Sequence, residues 1–122
     1  MWFLIVLGLL FGGSTEAPAS GASPPADLTV SSIRGEALAR RECAACHAVG
    51  AADESPNPKA PRFRDLADRY PVENLQEALA EGIMVAHDAP MPTFTLDPGE
   101  IADLIAYLET VQDEAHGGAR RP

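Results

Sequence analysis

Apolar and polar positions fall into four blocks along the chain. Residues 2–11 are almost wholly apolar. That run is too short to span a membrane, which takes about 20 residues in a helix. Small and polar residues follow, so the segment reads as the hydrophobic and cleavage regions of a secretory signal peptide. Ala17-Pro18-Ala19 and Ser20-Gly21-Ala22 both offer small residues at the cleavage positions. No Lys or Arg precedes the run, so retention as an uncleaved anchor is the alternative. Residues 1–19 are therefore expected to be a signal peptide or anchor. Residues 20–30, rich in Ala, Pro and Ser, are expected to be a flexible linker. Residues 31–113 form the expected folded domain. Residues 114–122, which end in Arg120-Arg121-Pro122, form an expected disordered tail.

Inside the domain the period is helical throughout. Residues 32–45 predict a first helix, capped by Ser31 or Ser32, with Ile33, Ala37, Leu38 and Cys43 on one apolar stripe. Gly35 is out of place in a helix unless another element approaches closely. Residues 50–61 carry Asp53, Pro56, Asn57 and Pro58 and predict a loop. Residues 63–69 predict a short helical turn with Phe63 and Leu66 facing inward. Tyr70-Pro71 opens a second helix with Val72, Leu75, Leu79 and Ile83 on its apolar face and Glu73, Gln76, Glu77 and Glu81 outside. Gly82 is its expected stop. Asp97-Pro98-Gly99-Glu100 is a capping box with Pro at the first helical position. Ile101, Leu104, Ile105, Leu108 and Val111 then predict a third helix, with Tyr107 at the edge of its stripe. No segment reads as part of a parallel sheet, and the expected fold class is all-α.

Composition adds two constraints. About 90 residues remain for folding after the N-terminal segment, which allows one small domain with a limited core. Aromatic residues make up 6%, and the only Trp and two of the four Phe lie in the first eleven residues. The domain has few large side chains of its own. The chain carries 9 basic and 18 acidic residues, a formal net charge of −9, and no nucleic-acid partner is expected.

The chemistry is concentrated in Cys43-Ala44-Ala45-Cys46-His47. This spacing is that of covalent c-type haem attachment. Two thiols three residues apart can each add to a vinyl group on the same edge of a porphyrin, and the next residue supplies an imidazole to the iron. With two Cys and three His in 122 residues, random placement gives the pattern on the order of 4 times in 10,000. Three other readings explain less. A dithiol redox centre normally opens a helix after a strand. A structural zinc site takes about four protein ligands, and here there are three. A disulfide leaves His47 unexplained. A covalent haem would also supply the apolar surface that the side chains lack. The opposite face of the iron needs a ligand, and Met84, His87 and Met91 are the candidates. Met91 lies between Pro90 and Pro92, in a segment held extended. His87 is its rival, and Met84 is expected to pack in the core.

With these residues in hand, the chain resembles the class I c-type cytochromes, small bacterial monohaem members in particular. The resemblance rests on the Cys43–His47 motif, on Gly35 eight residues before Cys43, and on Ala60-Pro61-Arg62-Phe63, which is similar to the family's Gly-Pro-x-Leu segment. It departs from the family at Ala39, where an aromatic is common. The resemblance implies a cytochrome c-like fold of three main helices with loops wrapping one haem c. It implies that Cys43 and Cys46 form the thioethers and that His47 and Met91 are the axial ligands. It implies that the Pro61 carbonyl accepts a hydrogen bond from the His47 Nδ1–H, and that Gly35 packs against an aromatic on the last helix, here Tyr107.

The function expected from this is one-electron transfer between redox proteins, with no catalysis. A haem subunit of a larger dehydrogenase or oxidase complex, or a ligand-sensing haem protein with a labile distal Met, is the alternative. Partners with basic docking faces fit the acidic balance, and a monomer is expected. Export to the periplasm is expected, with membrane association only if the N-terminal segment is retained.

Overall fold

The structure is a computed structural model that describes residue 13 and residues 25–69, 71–82 and 91–117. It has three α-helices: α1 (Ala26–Glu42), α2 (Leu75–Glu81) and α3 (Pro98–Ala115). Two 3-10 helices, Phe63–Asp68 and Val72–Asn74, lie between α1 and α2. No strand occurs among the described residues, and the fold is all-α.

The third helix starts where its local sequence says it should. The Asp97 carboxylate accepts from the Glu100 N–H at 2.8 Å, and the Glu100 carboxylate accepts from the Asp97 N–H at 3.1 Å. With Pro98 at the first position, these bonds use two of the backbone donors that a helix start leaves unpaired. Ile101, Leu104, Tyr107, Leu108, Val111 and Gln112 form its buried face. Each buried Leu or Val there contributes about 1.5–3 kcal/mol by leaving water.

The main helix contact is α1 on α3. Gly35 sits at the crossing. A β-carbon on it would collide with the Asp103 carbonyl and lie 2.8 Å from Tyr107 Cβ. Side chains close the same crossing from both flanks. Arg34 Nε donates to Asp103 at 2.7 Å, Ser31 donates to the same carboxylate, and the Ser32 and Thr110 hydroxyls meet at 2.9 Å.

These contacts correct several expectations. The first helix begins at Ala26, so residues 26–30 are helical and not part of a linker. Its N-cap is Pro25, with no side-chain cap. Ser31 and Ser32 have the right chemistry for caps but spend it on α3. The buried side of α1 is Gly35, Leu38 and Ala39, while Ile33 is 62% exposed and Ala37 is exposed too. The crossing at Gly35 decides which side turns inward, and it turns the Ile33 side out. The helix also ends at Glu42, so Ala44 and Ala45 lie beyond it. At the other end α3 runs to Ala115, so residues 114 and 115 belong to the helix and not to a tail.

The second helical segment opens as the 3-10 turn Val72–Asn74 and becomes α-helical at Leu75. Seven residues are too few for a stable helix alone. Val72, Leu75 and Leu79 hold it against the core. It ends at Gly82, whose φ of 66° is left-handed. Tyr70, Ile83, Met84 and His87 lie outside the described residues. So do the first part of the expected linker, residue 13 excepted the whole expected signal segment, and residues 118–122 of the expected tail.

Candidate functional site

The end of α1 folds directly into the cysteine motif. The Cys43 N–H donates to Ala39 O at 2.8 Å and finishes the helix. The His47 N–H then donates back to Cys43 O at 2.9 Å, and the Cys46 N–H to the same oxygen at 3.2 Å. One tight turn of backbone thus carries Cys43, Cys46 and His47 at the helix end. Both cysteines are free, with Cys43 half-buried and Cys46 exposed.

Burial, with a smaller effect from the Glu42 charge, pushes the Cys43 thiol up to about 11. Burial favours the neutral thiol over the thiolate. Among the described residues no group of three or more His, Cys, Asp or Glu converges to hold a metal ion.

His47 is held by one ring nitrogen. Its Nδ1 lies 2.7 Å from the Pro61 carbonyl oxygen. A carbonyl only accepts, so Nδ1 carries the proton and Nε2 keeps its lone pair. The ring also faces Phe63, with centroids 5.2 Å apart and planes at 48°. The intervening loop is tied back at several points. The Phe63 N–H donates to Ala48 O at 2.9 Å, the Asn57 N–H to Cys46 O at 3.1 Å, and the Ala48 N–H to Ser55 Oγ at 2.9 Å. From α3, the Tyr107 hydroxyl donates to Val49 O at 2.7 Å.

Met91 is half-buried, in the stretch that runs into α3. Its rivals Met84 and His87 are among the residues outside the description. The chain's own residues fit a covalently held haem. Cys43 and Cys46 would hold it, and His47, with Nδ1 occupied and Nε2 available, would face the iron.

Sequence reasoning passed over Gln112. It is buried, its amide donates to Phe63 O, and its oxygen accepts from the Ala67 N–H at 3.3 Å. The signal was present: Gln112 comes four residues after Leu108, on the apolar face of α3, where a polar residue needs a partner.

An all-α domain whose first helix ends in two thiols and an oriented imidazole is a domain for covalent haem. The chain belongs to the cytochrome c family, whose model, described as Cytochrome c, matches residues 32–112. No curated protein and no solved structure matches the chain. Domains of this family carry electrons through haem c, and their members are usually exported. No described helix is long and apolar enough to cross a membrane.

Proposed function

We propose that this protein is a one-electron carrier with a single haem c, held by thioethers from Cys43 and Cys46 and ligated by His47 and Met91. The observation that carries the reading is the bond from His47 Nδ1–H to Pro61 O, at the end of the same turn that presents both thiols. A carbonyl behind the imidazole fixes its tautomer and makes Nε2 a stronger donor. That is the orientation a ligating histidine needs, and a solvated loop histidine has no use for it.

The haem supplies the change of oxidation state. The residues around it set the conditions. Met91 stands beside Pro92, which has no N–H and a fixed φ, so the thioether is presented from a stiff segment. A thioether ligand favours ferrous iron and raises the potential. Held by His47 and Met91 together, the iron would have no protein-free position for a substrate, and the chain would act as a carrier.

The partner surface follows from charge. Glu109 on α3 is held above the ordinary carboxylate range by partial desolvation, then by repulsion from Glu73 and Asp113. That mutual repulsion supports one acidic face shared by the second helical segment and α3. Such a face suits a redox partner with a basic surface, met by a monomer in the periplasm.

Exposure of the purified protein to carbon monoxide and cyanide at neutral pH tests the carrier reading. A spectrum unchanged by either agrees with two protein ligands. Prompt binding of carbon monoxide to the ferrous form would make this a ligand-binding or sensing haem protein.

A further inference from the structure

Gln112 is the one buried polar side chain among the described residues, 4% exposed at the end of the apolar face of α3. A buried amide is costly unless both its ends are bonded. Here both are, and both bonds go to the same short segment 49 and 45 residues earlier. The amide donates to the Phe63 carbonyl and accepts from the Ala67 N–H. In a 3-10 helix a carbonyl pairs with the N–H three residues on, and either group can take a second partner. Gln112 is that second partner for both, and it fastens the 3-10 helix Phe63–Asp68 to α3.

That helix is also the wall behind His47. Phe63 reaches the histidine three ways. Its N–H bonds to Ala48 O, next to His47 in the chain. Its ring faces the imidazole. Two residues before it, Pro61 accepts the Nδ1–H. The Phe63 carbonyl is the remaining backbone polar group of that residue, and Gln112 holds it.

We infer that Gln112 is a positioning residue for the iron ligand: through Phe63 it sets the distance and angle of the His47–Pro61 hydrogen bond, and so tunes the potential. The inference rests on the reading of His47 as the iron ligand. It acts through a chain of packed and bonded groups, with no contact between Gln112 and the imidazole.

The test uses the haem-loaded protein and three variants: Gln112→Leu, Gln112→Met, and Val111→Ala as a packing control on the same helix. Two quantities are read, the hydrogen-exchange rate of the His47 Nδ1–H by NMR and the midpoint potential. In Gln112→Leu the exchange should quicken by about tenfold, as expected for loss of a hydrogen bond. The potential should rise, because a less strongly bonded imidazole is a weaker donor to ferric iron. Gln112→Met keeps the length of the side chain but makes neither bond, so it should shift both readings in the same direction as Gln112→Leu. Val111→Ala opens a cavity and should lower thermal stability while leaving both readings at their wild-type values. Equal values for wild type and Gln112→Leu, or the same shift in Val111→Ala, would overturn the inference. If Gln112→Leu does not fold, Gln112→Met decides: an unchanged exchange rate and potential overturn it. A wild type that carries no haem would refute the ligand reading and this inference with it, before any variant is compared.

Discussion

Gly35 and Asp103 meet where α1 crosses α3, and a side chain at position 35 would run into the Asp103 carbonyl. In an exposed helix, replacing Gly by Ala usually stabilises by about 1 kcal/mol. Here the sign should reverse. Gly35→Ala should destabilise by about 1–3 kcal/mol, because the helices must separate to admit the methyl group. Chemical denaturation of the two proteins checks this, and equal or higher stability for Gly35→Ala would mean that the crossing is looser than described.

The same aspartate makes the crossing sensitive to acid. Hydrogen bonds from Arg34 and then Ser31 hold the Asp103 carboxyl below the usual carboxylate range. A group with a depressed folded pKa contributes stability above its unfolded value, about 3.9 for Asp, and loses it as pH falls through the folded value. Asp103→Asn should therefore melt below wild type at pH 7, and the gap should close as pH falls below about 4. A gap that stays constant from pH 7 to about 2.5 would mean that the carboxylate charge has no part in the crossing.

How much of this was legible in the sequence depended on distance along the chain. The start of α3 is written within four residues, Asp97 to Glu100, and its structure matches that text. The motif was local as well: Cys43, Cys46 and His47 are carried on one backbone turn. The Pro61 acceptor came from resemblance to a family and not from periodicity. The start of α1 was not legible, because its cap, Pro25, makes no side-chain bond to betray it. Ser31 and Ser32 look like caps, but their partners, Asp103 and Thr110, lie 72 and 78 residues away. Ile33 is apolar yet exposed for the same reason, since the tertiary contact at Gly35 chooses the inward side. Gln112 needs Phe63, 49 residues earlier, to make sense of it.

The distal ligand is open to a direct spectroscopic comparison. Met91→Ala should abolish the weak long-wavelength ferric band of iron–sulfur bonding and lower the potential. Met84→Leu should leave both nearly unchanged. A silent Met91→Ala together with a spectral change in His87→Ala would assign the ligand to His87.

The repulsion among Glu73, Glu109 and Asp113 marks the acidic face that we propose for docking. With a basic redox partner, the second-order rate should fall steeply as ionic strength rises from about 10 to 150 mM, where the Debye length shrinks from ~30 to ~8 Å. Electron-transfer encounters bury little surface, so long-range charge governs the on-rate more than contact area does. A rate that is flat or rises over that range would leave the net charge of −9 a matter of solubility alone.

Covalent attachment of one haem through Cys43 and Cys46 is the step on which every other proposal here depends. Intact mass, measured after expression with haem c maturation and followed by acid–acetone extraction, tests it most directly. The mass should equal the polypeptide plus one haem, with colour that stays on the protein through extraction and is lost from it when both cysteines are replaced by Ala. A colourless protein of polypeptide mass, with two free thiols or a single disulfide, would contradict it.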